Sequence, residues 1–364
     1  MNWMRAGSGV ALILMTLAPL AAARDRIAVV GSSTVFPFTA AVAERFAWEG
    51  HWPSPKVETT GSGSGFKLFC QSIDPATPDI TAASRRMLPS ELAQCRAHGV
   101  THVTELVIGY DGIVVATSAN TAFPALNLRN LYLALARWVP AADGAGFVLN
   151  PYRTWRQIDA ALPDVAIKVF GPPPTAGTRD AFDTLAMQAG CRRVAAVRAL
   201  QHTDPGQFRT LCRALREDGA YVEVSGDDNL VVRRVEADAQ ALGVIGFSYL
   251  ERNRGGLHAV AIDGALPDAH TITLHSYPLA RPLYLYVKAS HVGVVPGLAD
   301  FLREFTSAQA TGADGYLVDA GLIAAPTAVR EAMARRAARL TPLTPAALNE
   351  GNQQGNQENS HAAQ

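Results

Sequence analysis

The stretch VETTGSGSGFKLFC, residues 57–70, contains the pattern that decides the fold. A β-like run is followed by three glycines that alternate with two serines, and then by an apolar run suited to a helix. A strand, a turn of small residues and a helix are the repeating unit of α/β proteins. Because such a small backbone is typical of places where another group comes close, we ask what approaches residues 61–65.

The composition describes an ordinary globular protein. The 364 residues are 48% hydrophobic and 18% charged, and the formal net charge is zero. A chain of this length can bury more than one hydrophobic core. Its neutral balance argues against a nucleic-acid partner attracted by bulk charge, but not against a small anion held locally.

Both ends of the chain are predicted to lie outside the folded body. Residues 1–23 combine a positively charged start, an apolar centre and three alanines suited to cleavage, which is typical of a signal peptide. We therefore expect export to the periplasm, with an uncleaved anchor as the alternative. The polar, low-complexity tail, residues 345–364, is expected to be disordered.

The four cysteines fall into two local pairs along the sequence. Export permits disulfides, and we favour Cys70 with Cys95 and Cys191 with Cys212, because each bond would close a loop within one region. Three pairings are possible for four cysteines, and free buried thiols are the other alternative.

Predicted strands alternate with predicted helices along the chain, which indicates α/β layers and a largely parallel sheet. Strands are predicted at residues 26–30, 56–60, 79–83, 101–118, 166–170, 220–224, 243–250 and 281–290. Helices are predicted after the turn at 31–36, from near Phe66, and at 89–99 (capped by Ser90), 126–137, 175–190, 228–240 and 296–307.

Four short turns share one design, in which small hydroxyl-bearing residues follow a strand. They read GSSTVF (31–36), GSGSGF (61–66), AASRR (82–86) and TAGTRD (175–180). The start of a helix exposes unpaired N–H groups with partial positive charge, and small residues let an anion reach them. Any one turn could be a plain helix cap, but four together indicate a site for a small oxyanion.

These turns, with GYDGIVV and ALGVIGFSYLE, resemble the PstS-type periplasmic phosphate-binding component of phosphate ABC importers. The resemblance spans about residues 26–325. It implies a type II periplasmic binding protein fold, in which two α/β lobes joined by crossing strands close over the ligand. The first lobe would comprise residues 24–116 and 280–330, and the second residues 117–279, with crossings near Ala116 and residues 277–282.

The resemblance also implies a phosphate-binding set. Thr34, Ser64, Gly177 and Thr178 match ligand positions of the family's turns, and their neighbours complete the first three turns: Ser33, Gly65 and Ser84.

Three positions depart from the better-known members of that family. Ser84 is followed by Arg85 instead of an aspartate, an expected arginine is Pro172, and an expected serine is Ala176. We expect Arg85 to supply the guanidinium that forks onto two phosphate oxygens.

Two further arginines lie in these turns. Arg179 either helps to bind the anion or pairs with Asp183 one helical turn away. Arg86 is predicted to be a solvated neighbour.

Phosphate carries a proton at neutral pH and sulfate does not, so a carboxylate that accepts this proton would select phosphate. Asp111, in GYDGIVV, is the candidate acceptor, and its alternative role is that of a hinge residue beside Gly112. Asp227, Asp228 and Asn229 are further candidates, with a helix cap as their alternative.

The predicted function is that of a monomeric receptor that delivers inorganic phosphate to an inner-membrane ABC permease, without a cofactor. Three alternatives stay open at this point: a receptor for sulfate, molybdate or tungstate, a phosphatase-like enzyme, and a sensor with a degenerate site. The histidines show no metal-binding spacing, and no serine has the GxSxG context of a nucleophile.

Overall fold

The computed structural model describes residues 25–348 except positions 51, 145, 175 and 225–227. The predicted signal peptide, Asp227 and most of the predicted tail lie outside this range. Within it, no helix combines the length and apolar character needed to cross a bilayer.

The strands and helices alternate over the first half of the described chain, as predicted. The strands are β1 Ala28–Gly31, β2 Lys56–Thr59, β3 Ile80–Ala83, β4 Val103–Ser118, β5 Trp138–Pro140, β6 Phe147–Leu149, β7 Val169–Gly171, β8 Tyr221–Glu223, β9 Leu242–Gly246, β10 Leu257–Ala259 and β11 Ala280–Lys288. The helices up to α8 are α1 Phe36–Trp48, α2 Ser62–Phe69, α3 Pro89–Ala97, α4 Leu128–Leu135, α5 Gly177–Phe182, α6 Ala189–Arg192, α7 Ala195–Thr203 and α8 Pro205–Arg213.

The remaining helices are α9 Asp228–Ala237, α10 Phe247–Arg252, α11 Ala269–Thr273, α12 Leu298–Phe305, α13 Ala308–Thr311, α14 Tyr316–Asp319 and α15 Thr327–Arg339. A π-helical segment, Asp183–Gln188, joins α5 to α6. Single 3₁₀ turns lie at Trp155–Gln157 and Ala289–His291.

The main sheet has the strand order β2-β1-β3-β11-β4-β9-β7-β8, and β10 also pairs with β4. Its two ends are parallel, since β1 pairs with β2 and β3, and β7 pairs with β8 and β9. The centre is antiparallel, because β11 and β4 run against each other and against their outer neighbours. The prediction of a largely parallel sheet is therefore wrong for the central strands.

β4 and β11 join the two halves of the sheet. β4 pairs with β11 as far as Gly112 and with β9 from Ile113 onward, so its change of partner precedes the predicted Ala116. On β11 the corresponding region contains Pro282 and a register shift at the next two residues. A further link runs through Ile323, which exchanges backbone hydrogen bonds with Tyr110.

Separate hydrophobic cores lie on the two sides of this junction. The second lobe packs around Tyr132, Trp155 and Phe182, with residues contributed mainly by positions 110–279. The first lobe packs around Val42 and Phe301 on one face of its sheet and around Phe66 and Tyr286 on the other. The predicted architecture of two α/β lobes joined by crossing strands is confirmed.

Three local predictions are wrong. α2 begins at Ser62, so the glycine-serine run is itself helical instead of preceding a helix at Phe66. α3 begins after Leu88, whose N–H donates to the Glu91 carboxylate, and Ser90 lies inside the helix. Residues 247–250 belong to α10, because β9 ends at Gly246.

Both predicted disulfides are present, Cys70–Cys95 and Cys191–Cys212. The first lies beneath α2 and α3, and the second joins α6 to α8.

The C-terminal segment returns along the first lobe. α15 packs against β4 and α12, and the Leu343 N–H donates to the Val103 carbonyl at 2.7 Å. Residues 345–348 are helical and Leu348 is fully buried. The prediction of disorder is therefore wrong for residues 345–348, and the rest of the predicted tail lies outside the described residues.

Candidate functional site

The four turns singled out in the sequence lie together where the lobes meet. The Thr34 hydroxyl of the first turn donates to the Gly177 carbonyl of the fourth, across the cleft, at 3.2 Å. The Ser62 hydroxyl of the second turn accepts a hydrogen bond at 3.2 Å from the Ser84 N–H of the third. The first and second turns are in contact through their glycines. The fold therefore brings all four turns together where the two lobes meet.

Three helices begin in this region without a side-chain cap. The residues before α1, α2 and α5 make no capping hydrogen bond. The first N–H groups of a helix have no partner inside the helix and carry partial positive charge. The starts of α2 and α5 can therefore offer backbone donors to an anion. At α1 the N–H groups of Thr34, Val35 and Phe36 already donate to Ser32.

A buried arginine that the sequence analysis did not select lies beside these turns. Arg281 is 6% exposed and sits on β11 directly opposite Asp111 of β4. Its Nη2 donates to the Thr34 hydroxyl at 3.0 Å. It also lies 3.6 Å from a carboxylate oxygen of Asp180, which belongs to the second lobe. Arg281 thus lies on a strand that joins the two lobes and is close to a residue of each lobe.

Asp111 and Arg281 form an incompletely satisfied pair. The Arg281 Nε lies 3.6 Å from Asp111 Oδ2, and both atoms are buried with no hydrogen-bond partner in the described part of the chain. Burial raises the pKa of Asp111, an effect that the positive charge of Arg281 opposes. A buried donor and a buried acceptor, neither with a hydrogen-bond partner among the described residues, are therefore held side by side at the cleft.

Arg85 has a partner of its own. Its guanidinium donates to both carboxylate oxygens of Glu91, at 2.9 and 2.6 Å, and lies over the ring of Phe66. The hydrogen bond to Glu91 raises the pKa of Arg85. The side chain is near the second turn, 3.8 Å from where a Cβ on Gly63 would lie. Its contact with a ligand stays a prediction.

The other two arginines are held in ion pairs. Arg179 donates to Asp183 at 2.9 Å, which is the alternative that its spacing indicated, and to Glu223 at 3.1 Å. Arg86 is not a solvated neighbour as predicted, because its side chain is 22% exposed and donates to both oxygens of Glu105.

The structure shows which atoms lie close to the glycine-serine turn, residues 61–65. A Cβ on Gly65 would lie 2.8 Å from the Cα of Gly31, and the Gly65 N–H already donates to the Gly61 carbonyl. The close neighbours of Gly65 are therefore the Thr81 hydroxyl and the backbone at the end of β1. Ser64 is exposed on the first turn of α2.

The remaining candidates are distributed around the same turns. Ser33 and Thr178 are half-buried beside Thr34 and Gly177. The Asp228 carboxylate accepts a hydrogen bond at 2.8 Å from the N–H of Gly246, which pairs with Ile113 next to the crossing.

Comparison with known proteins agrees with the fold. The model of the PBP superfamily domain matches residues 18–309. Protein SphX of Synechocystis is 31% identical over 300 residues, covering 80% of this chain and 77% of its own length. The phosphate-binding protein PstS of Staphylococcus haemolyticus is 26% identical, covering 81% of this chain and 80% of its own.

A solved structure is also similar over most of the chain. A possible phosphate binding protein from Planctomyces limnophilus superposes with a TM-score of 0.66 at 26% identity, covering 87% of this chain and 98% of that one. With the family match and the 31% identical relative, this result shows the family. The chain belongs to the PBP superfamily, and within it to the PstS-type phosphate-binding proteins.

Proposed function

We propose that the protein is an exported receptor that captures inorganic phosphate between its lobes and delivers it to an ABC importer. The observation that carries the proposal is the meeting of Thr34, Gly177 and Arg281, because it joins the turn before α1 and the uncapped start of α5 to a buried guanidinium. Such a site binds a small oxyanion through many short hydrogen bonds and excludes water when the lobes close.

The names of the relatives support phosphate as the anion. The Staphylococcus relative is a phosphate-binding protein, and the Planctomyces structure is that of a possible one. We infer a binding protein instead of an enzyme from the same names, and a periplasmic location from the targeting pattern of residues 1–23. A monomer that meets an inner-membrane permease and no nucleic acid is part of the proposal.

We propose the following anchor residues for phosphate, with Asp111 as acceptor of its proton: Ser33, Thr34, Ser64, Gly65, Ser84, Arg85, Gly177, Thr178 and Arg179. Lobe boundaries at residues 24–116 and 280–330 for the first lobe, and 117–279 for the second, complete the proposal. The separate cores support a division into two lobes, but residues 113–116 pack in the core of the second.

Calorimetric titration of the anion-stripped protein with phosphate and then sulfate, at two pH values, tests the proposed function. We expect heat from phosphate and little from sulfate, because a buried carboxylate accepts the proton of phosphate and repels a fully ionised dianion. Equal affinity for the two anions would contradict a phosphate receptor and favour a general oxyanion receptor.

The Asp111→Asn variant tests the origin of this selectivity. It should weaken phosphate binding and leave sulfate binding unchanged or stronger, since the amide no longer repels sulfate. Equal responses of the two anions would show that Asp111 is not the acceptor, while leaving phosphate binding by the wild-type protein intact.

A further inference from the structure

Arg281 occupies a position that belongs to neither lobe alone. It lies on a strand that passes from one lobe to the other and is opposite Asp111 on the second crossing strand. It donates to Thr34 in the first lobe and is 3.6 Å from Asp180 in the second. Any group that binds this guanidinium therefore acts on both lobes at once.

The surroundings of Arg281 leave it able to bind an anion. A guanidinium has five N–H donors in a fixed plane, and the buried Nε–H, which faces Asp111 at 3.6 Å, has no hydrogen-bond partner within the described residues. Asp180 is a loose partner, because its separation of 3.6 Å exceeds a hydrogen-bond distance and its side chain is 54% exposed. A phosphate oxygen placed between Thr34 and Arg281 would displace the Asp180 carboxylate.

Arg85 contrasts with Arg281 in this respect. Glu91 accepts two short hydrogen bonds from Arg85, at 2.6 and 2.9 Å, and both residues belong to the first lobe. A bidentate pair of this kind is geometrically complete. An anion would have to break it to reach Arg85, whereas Arg281 offers an unused donor.

We propose that Arg281 grips the captured anion, and that Asp180 holds the same guanidinium when the cleft contains no anion. The inference rests on the proposed function of the cleft. Asp180 then keeps the lobes together in the empty protein and competes with the anion for Arg281. On capture, the anion replaces the carboxylate of the second lobe as the bridge to the crossing strand.

Titration with inorganic phosphate tests the two residues separately. Arg281→Lys keeps the charge but removes the planar fork, so affinity should fall by ten-fold or more, and by more than in Arg85→Lys. Asp180→Asn removes a competitor and a like charge, so affinity should rise by about five-fold or more. Asp238→Asn is the matched control, because it removes one charge from a residue that pairs with Lys168.

Small-angle X-ray scattering of the anion-free protein gives a second readout that needs no ligand. Asp180→Asn should increase the radius of gyration, since the bridge between the lobes is lost, while Asp238→Asn should not. Circular dichroism and thermal melting show whether Arg281→Lys is folded. If Arg281→Lys does not fold, Asp180→Asn still tests the proposal, because it changes an exposed side chain.

The outcomes separate this inference from the proposed function. Wild-type phosphate affinity in a folded Arg281→Lys protein, or weaker phosphate binding in Asp180→Asn, would overturn the inference and leave the phosphate receptor standing. Absence of phosphate binding by the wild-type protein would end the proposed function. In that case an unchanged radius of gyration in Asp180→Asn would overturn the contact between lobes, and an increased radius would support it.

Discussion

Replacing Gly177 by alanine should hold the lobes apart. A Cβ at Gly177 would lie 2.7 Å from the Cα of Thr34 and 3.0 Å from its nitrogen, on the other side of the cleft. Both neighbours are backbone atoms that cannot rotate away. The lobes must therefore separate by about 0.7 Å to reach ordinary van der Waals contact, or strain the closed form by ~1–3 kcal/mol.

This strain falls on the closed form alone. Gly177 starts α5 and does not need a positive φ, so alanine is acceptable there when the lobes are open. The anion-free protein can open at the cost of only the loose Asp180–Arg281 pair, so its free energy of unfolding should change by less than about 1 kcal/mol. Phosphate affinity should fall by about 5- to 150-fold, which is the same strain expressed as a ratio of binding constants.

Titration calorimetry measures the change in affinity, and urea denaturation without phosphate measures the stability. Gly255→Ala is the control, because no described atom lies within 4 Å of its added Cβ and its φ is not positive. Gly177→Ala with wild-type phosphate affinity would refute the reasoning, since the bound form would then not bring Gly177 against Thr34.

Three further predictions concern stability and pH. Replacing both cysteines of either disulfide by serine should lower the free energy of unfolding by roughly 2–4 kcal/mol in urea denaturation, because each bond closes a loop of more than twenty residues. An unchanged free energy of unfolding after the loss of both disulfides would contradict this prediction. Glu105→Gln should lower it by about 1–3 kcal/mol, since it weakens the charge-assisted bonds from half-buried Arg86 and buried Tyr286. The hydrogen bonds from Arg216 hold the pKa of Asp218 well below its usual range. The stabilisation that results is present above about pH 4 and is lost as the pH falls through the folded-state pKa. Asp218→Asn should therefore be less stable than wild type at neutral pH, and the melting temperatures of the two proteins should converge on acidification.

The sequence predicted which strands the turns follow, because each turn depends on neighbouring residues, but it placed the start of α2 four residues too late. A strand followed by glycine, serine or threonine and then by apolar residues at helical spacing leaves few other conformations, and residues 31–36 and 61–66 both follow β strands as expected. The lobe architecture came from the resemblance, which orders these turns along the chain.

Arg281 could not be selected in the same way. In RPLYLYVKAS it reads as the first polar residue of an ordinary strand. Only the register between β11 and β4 places it beside Asp111, and that register depends on residues 170 positions apart in the chain. The sequence nevertheless contained a clue to Arg281. A crossing between the lobes was predicted at residues 277–282, and an arginine at a crossing must lie close to the cleft.

Arg85 and Gly65 show the opposite difficulty, in which a local pattern had a second explanation. Arg85 pairs with Glu91, six residues later across the start of α3, a spacing that no regular helix or strand brings together. Gly65 is small because the backbone at Gly31 packs against it. Sequence alone shows that space is needed, but it does not show whether the chain or a ligand fills it.

The position of β11 has a consequence for how the protein folds. This strand lies between β3 and β4, although β4 is made more than 160 residues before β11 is complete. Until then, β3 and β4 each have an unpaired edge, and the first lobe lacks its central strand. Contacts this distant in sequence form slowly. The second lobe, whose strands other than β4 lie within one continuous stretch, should therefore gain stable structure first, and a chain that ends before Ala280 should expose two strand edges that promote aggregation.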